Sequence, residues 1–191
     1  MNKEKGSFGL IIIIIIGSIL VASIIIGIEV SNSKKIAKEF SKEGYETTSE
    51  DIFYKKIVSG NTLDDYYKDI ANKKDSYYEE YYFSKESNDF IELKLLYQQD
   101  VSTTLNIISN LENGETEFNY ELAYKTSHLL IEGNSTNNYE CKIIDNNKVD
   151  MDTVSGYCDM IMDEINNFND IKNDLLKNDK IRSLVEKDWQ I

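Results

Sequence analysis

The chain reads as an all-α protein, an N-terminal transmembrane helix followed by an elongated helical bundle. Three observations carry that reading. The uncharged run "FGLIIIIIIGSILVASIIIGI" extends from Phe8 to Ile28 and holds eleven isoleucines. Proline is absent from all 191 residues and glycine is sparse after the run, which leaves long helices uninterrupted. Further on, apolar residues recur three and four apart, the period of a half-buried helix.

Residues 1–7 form a short basic tail carrying Lys3 and Lys5. Residues 8–28 are expected to be a transmembrane helix. At about 1.5 Å per residue the run spans roughly 31 Å, close to the hydrocarbon thickness of a bilayer. A cleaved secretory signal has a shorter apolar region of about 7–15 residues, so the segment is expected to stay as a signal-anchor. Ser18 with Ala22, and Ser23 with Gly27, stand four apart and offer a close-packing face for a homo-oligomer through the span. Lys34, Lys35, Lys38 and Lys42 follow the span, and the lysine count alone favours a cytoplasmic domain. Long domains cross largely regardless of charge, and the expectation is a single-pass cell-membrane protein with its large C-terminal domain extracytoplasmic. A membrane-tethered cytoplasmic adaptor is the competing arrangement.

The start "MNKEKGSFGLIIIIII" places a short basic leader ending in Gly6 before Ser7, Phe8 and an unbroken apolar helix that runs into "EVSNSKKIAKEF". Over about the first 35 residues this resembles type IV pilin-like proteins, the minor pilins and pseudopilins more than the major subunits. The resemblance implies peptidase cleavage between Gly6 and Ser7, methylation of the new N-terminus, and packing of the helix inside a pilus or type II secretion-like filament. The family's usual glutamate at the fifth mature position is replaced here by Ile11.

Lys3, Lys5 and Glu4 fall within the first 28 residues. That leaves 19 basic and 33 acidic residues in the remainder, a net charge of −14. Such a surface repels a phosphate backbone, so nucleic acid is excluded as a partner. The abundance of Ile, Asn, Lys and Tyr resembles proteins of AT-rich bacterial genomes.

Residues 29–48 are expected to continue as a juxtamembrane helical stalk that stops at Gly44, and residues 49–191 as an acidic, mainly helical domain. "TTSEDIFYKKIVSG" opens with Ser49 as N-cap and closes at Gly60. "TLDDYYKDIANKKDSYYEEYYF" spaces Leu63, Tyr66, Tyr67, Ile70, Tyr77, Tyr78 and Tyr81 as a helix, with Thr62 and Asp65 as a capping pair. In the segment from Asn88, Phe90, Leu93, Tyr97, Val101, Leu105, Ile108 and Leu111 form the best amphipathic helical pattern, closed by Gly114. Residues 116–145 are ambiguous. Helix followed by loop is favoured, while the alternation of Phe118, Tyr120, Leu122 and Tyr124 supports the alternative of an α+β fold with a small hairpin there. After Asp150 a helix follows from Val154, Tyr157, Cys158, Ile161, Ile165, Phe168, Ile171 and Leu175, and "KIRSLVEKDW" ends the chain as another.

Groups for chemistry are few. His128 is the lone histidine and reads as a core-edge residue; no nucleophile elbow, phosphate loop or His-Glu-x-x-His stands in the sequence. "DNNKVDMDT" fails as a calcium loop, because the sixth position from Asp150 is Ser155 and the twelfth is Ile161. No catalytic, metal or cofactor site is therefore expected. Cys141 and Cys158 are suited to one disulfide if the domain is exported, and to two separate thiols if it is not. "SYYEEYYF" is the least ordinary stretch. On a helix, Tyr77 with Tyr81 and Tyr78 with Tyr82 make two aromatic pairs, candidates for contact with a protein partner. The function expected is that of a non-enzymatic interaction or structural module, with the pilin-like subunit as the alternative.

Overall fold

A computed structural model describes residues 34–48, 53–58, 61–134 and 141–187. Helix α1 (residues 34–42) is followed by strands β1 (Glu46–Thr47) and β2 (Phe53–Ile57) and helix α2 (Leu63–Ala71). Six strands come next: β3 (Ser76–Ser84), β4 (Asp89–Gln98), β5 (Val101–Asn110), β6 (Thr116–Tyr124), β7 (Ser127–Asn134) and β8 (Lys142–Asn147). Helices α3 (Met151–Leu176) and α4 (Asp179–Lys187) close the described chain. The strands form one eight-stranded sheet in sequence order, every neighbour antiparallel.

The all-α bundle is thus overturned by a sheet meander, and the reason lies in how a covered sheet imitates helical spacing. On one face of the sheet, Tyr81, Phe83, Phe90, Leu105, Ile107, Phe118, Tyr120, Leu122, Leu129 and Ile131 form the main core with α1, α3 and α4. On the other, Tyr78, Leu95 and Tyr97 pack with Tyr66 of α2. Strand β3 is therefore buried from both sides and shows no polar alternation. Its tyrosine doublets mimic the four-residue spacing of a helix. The pattern read through 88–114 likewise joins residues from both faces of the β4–β5 hairpin. Gln98 pairs with Val101 across a two-residue turn, with Gln99 and Asp100 at φ 51° and 68°. Positive φ at both central positions is the type I′ geometry that matches strand twist.

Residues 116–145 hold a hairpin that belongs to the full sheet. Tyr124 pairs with Ser127, and Lys125 takes φ 51° in the turn. The helix over 62–83 is cut short. Thr62 and Asp65 do form the capping box of α2, but α2 ends at Ala71, Lys73 adopts φ 56°, and the chain continues as β3. Within the expected 29–48 stalk, α1 is helical and ends before Gly44, which takes φ 84°. Phe40 of α1 is buried, stacks on Tyr54 at 4.1 Å and on Phe83 at 5.0 Å, and so seats α1 on the sheet. Glu39 binds Lys42 at 2.7 Å and Lys180 at 3.0 Å, joining α1 to α4.

α3 follows its spacing: Val154, Ile161, Ile165, Phe168 and Leu175 face the core. Phe168 lies 5.2 Å from Phe90, and Tyr157 lies 5.4 Å from Tyr120, so α3 lies across the sheet between β4 and β6.

The transmembrane helix expected over 8–28, its oligomer face and the Gly6–Ser7 cleavage point lie outside the described residues. Among those described, no helix is long and apolar enough to cross a membrane. The longest, α3, has 26 residues but carries Asp152, Asp159, Asp163, Glu164, Asp170, Lys172 and Asp174. The single-pass location, the integral membrane partner and the helical-bundle description do not stand on this structure.

Candidate functional site

Strand β3 reads Tyr77-Tyr78-Glu79-Glu80-Tyr81-Tyr82, and alternation sends one Tyr-Glu-Tyr set to each face of the sheet. Both sets share one local design, in which the glutamate accepts hydrogen bonds from the tyrosines two residues away on either side. Glu79 accepts from Tyr77 and, at 2.8 Å, from Tyr81. Glu80 accepts from Tyr78 and Tyr82. The next strands then set the two carboxylates apart. On the α2 face Lys55 of β2 forms an ion pair with Glu80, and its ammonium lies over the Tyr78 and Tyr82 rings. On the α3 face the strand opposite supplies a second carboxylate, Glu92, 3.1 Å from the Tyr81 hydroxyl. Burial pushes Glu92 up to about 7, reinforced by the charges of Glu79 and Glu164 and opposed by Lys94. Burial also raises the Tyr81 and Tyr78 phenols well above their ordinary range.

The four tyrosines named as partner contacts are thus distributed over both faces. Tyr78 and Tyr81 are buried, in opposite cores, while Tyr77 and Tyr82 are half-buried with their hydroxyls committed to glutamates. Glu79, Glu80 and Glu92 were missed by sequence reasoning. The available signal was charge inside otherwise aromatic or apolar runs, "YYEEYY" and "FIELKLLY".

The other notable surface is the sheet face that α2 leaves open. α2 packs over β3 and β4 through Leu63, Tyr66 and Ile70, whose neighbours are Tyr78, Leu93, Leu95 and Tyr97. Beyond it, β5 to β8 present rows set by the register. One row is Asn106–Asn119–Glu132–Lys142, and the next is Thr104–Glu121–Leu130–Asp145. A groove of about 490 Å³ lies here, lined by Asn106, Ile108, Glu117, Asn119, Glu132, Asn134 and Lys142 among others. Asn119 donates to Glu132 at 3.2 Å across the groove floor.

His128 sits on this same face rather than at a core edge. Its Nε2 lies 3.1 Å from Glu121 of β6 and its Nδ1 lies 3.1 Å from Asp145 of β8. The hydrogen bond to Glu121, then that to Asp145, raise the imidazole above its ordinary value and favour the charged form. Each ring nitrogen is engaged by a different carboxylate, so the three groups do not converge on a common point. Among the described residues, no group of three or more His, Cys, Asp or Glu side chains is arranged to hold a metal ion. Cys141, just before β8, and Cys158 of α3 are free thiols in hydrogen-bonding contact beside the main core. Burial first, then Cys158, push the Cys141 thiol up to about 12.

Comparison of the chain with protein-family models, with curated proteins and with solved structures finds no match.

Proposed function

We propose that the chain is a non-enzymatic interaction module whose open sheet face, over β5 to β8, docks an extended basic segment of a protein partner. The observation that carries this reading is the groove itself. It joins an apolar floor residue, Ile108, to carboxamides and carboxylates presented by three adjacent strands. Glu117, Glu121, Glu132 and Asp145 are exposed there, with Lys142 opposite Glu132 and His128 between Glu121 and Asp145. A lysine- or arginine-rich strand meets this field favourably and is steered to it, while acidic partners are repelled. The non-catalytic half of the reading rests on the placement of the buried carboxylates. Glu79 and Glu92 lie beneath α3, away from the groove and from any substrate that would fill it.

Titration of the full chain with a lysine-rich extended peptide, followed by amide NMR, tests the reading. The expected shifts concentrate at Asn106, Asn119 and Glu132 and weaken with salt. They are lost in Glu117→Gln/Glu121→Gln/Glu132→Gln. The acidic outer side of α3, with Asp159, Asp163 and Asp170, serves as the internal control. Equal shifts there would reduce the effect to bulk charge attraction and sink the proposal.

A further inference from the structure

Glu79 and Glu92 have one hydroxyl between them. Tyr81 Oη lies 2.8 Å from Glu79 Oε1 and 3.1 Å from Glu92 Oε1. A phenol has one proton to donate. Given to Glu79, it leaves the second contact as lone pair against lone pair. That contact becomes a hydrogen bond only when the Glu92 carboxyl carries a proton and donates it to the Tyr81 oxygen. Glu92 is also the worse placed of the two for charge. It is 1 % exposed and its Oε2 has no hydrogen-bond partner among the described residues. Glu79 accepts a further bond from Tyr77.

The charges around this pair do not neutralise it. β3 brings Tyr77, Glu79 and Tyr81; β4 brings Lys94; α3 brings Glu164; the β5 residue opposite Glu92 is the apolar Ile107. Lys94 Nζ lies 2.7 Å from Glu164, so the nearest ammonium is already engaged. Three carboxylates and one lysine meet beneath α3.

We propose that the Glu79–Tyr81–Glu92 group is a proton-binding site that sets how firmly α3 sits on the sheet. One proton held between the two carboxylates keeps α3 seated, and its release leaves two buried like charges under the helix. Burial places that release close to neutrality, with Glu92 at about 7 against an ordinary 4.5. Because the folded value is the higher one, the site's stabilising contribution is complete below about pH 4.5. It declines as pH rises, by about tenfold in the unfolding constant per pH unit, and levels off above about 7. The device is independent of what occupies the open face.

The experiment is carboxyl-carbon NMR of the glutamate-labelled full chain, paired with urea unfolding from about pH 4.5 to about pH 8. Amide exchange of α3, corrected for its intrinsic pH dependence, accompanies it. One glutamate is expected to titrate near neutrality, to be absent in Glu92→Gln, and to move to lower pH in Glu79→Gln. Exchange protection around Ile161 to Phe168 is expected to fall with rising pH in the parent chain and to stay level in Glu92→Gln. His128 is a second titrating group, raised above its ordinary value, so each measurement is repeated in a His128→Gln background. No glutamate titrating above about pH 6 overturns the proposal, as does an unchanged slope in Glu92→Gln. Where Glu92→Gln fails to fold, Glu79→Gln decides, and an unmoved titration there is a refutation.

Discussion

Glu80 and Glu92 are each 1 % exposed, one on either face of the sheet, and they meet the cost of burial differently. Glu80 is ion-paired with Lys55 and accepts hydrogen bonds from two tyrosine hydroxyls. Removing Lys55 strands the Glu80 carboxylate, and breaking a buried pair this way costs about 3–5 kcal/mol. Lys55→Met is therefore expected to lower the urea midpoint strongly at pH 7. The apolar counterpart is Phe168, buried against Phe90. Phe168→Ala is expected to destabilise by about 3–5 kcal/mol by leaving a cavity between α3 and the sheet. A loss under about 1 kcal/mol in urea titration would show that α3 is only loosely held. At the surface, His128 draws stability from Glu121 and Asp145 only while charged. Its raised folded value means the contribution is complete below the ordinary value of 6.5 and is lost as pH rises through the folded one. His128→Gln is expected to weaken the chain at acid pH and to converge with the parent once pH has risen through the folded value.

Among elements, β8 and α3 depend on each other. Among the described residues β8 pairs with β7 alone, and it carries a register shift opposite Leu130 and Ile131. Its start is held near α3 by the contact between Cys141 and Cys158. Diamide, a two-electron oxidant, is expected to join these thiols, its N=N bond taking up the two thiol hydrogens as it is reduced to the hydrazine. Closure of a 17-position loop then stabilises by about 3 kcal/mol. Failure of the oxidised chain to gain stability, with Cys141→Ser as the unreactive control, would show that the bond strains the bulged strand. The disulfide expected for an exported domain is not formed in this structure, where the two thiols are free and in hydrogen-bonding contact. The turns show a second dependence, since Gln99, Asp100 and Lys125 hold positive φ without glycine. The hairpins they close are specified by the strands on either side more than by turn residues. That is why scarce glycine was a poor guide against strands.

For the whole molecule, one sheet face belongs to α1, α3 and α4 and, among the described residues, the other is only half covered by α2. A chain ending at Asp150 would uncover Phe90, Ile107, Phe118, Leu129 and Ile131, all at most 5 % exposed in the intact protein. It is expected to aggregate or to lose cooperative unfolding, and a soluble two-state fragment in urea would contradict the dependence of this sheet face on α3 and α4. The intact chain's formal charge of −13 opposes such aggregation and sets the sign of partners, but says nothing of topology.

By itself the sequence determined the features that depend on neighbours a few residues away. These are the Thr62–Asp65 box, the core-facing stripe of α3, the acidic field and the apolar run at 8–28, which lies outside the described residues. Strand identity needed partners far along the chain. A strand covered on both faces loses its two-residue signature, and "SYYEEYYF" then reads equally as a helix. The same holds for the candidate sites. Glu80 meets Lys55 from 25 positions earlier and Lys94 meets Glu164 from 70 positions later. Charge states, proton sharing and the open groove are products of those pairings, because solvation and Coulomb energy depend on distance in space and not on order along the chain.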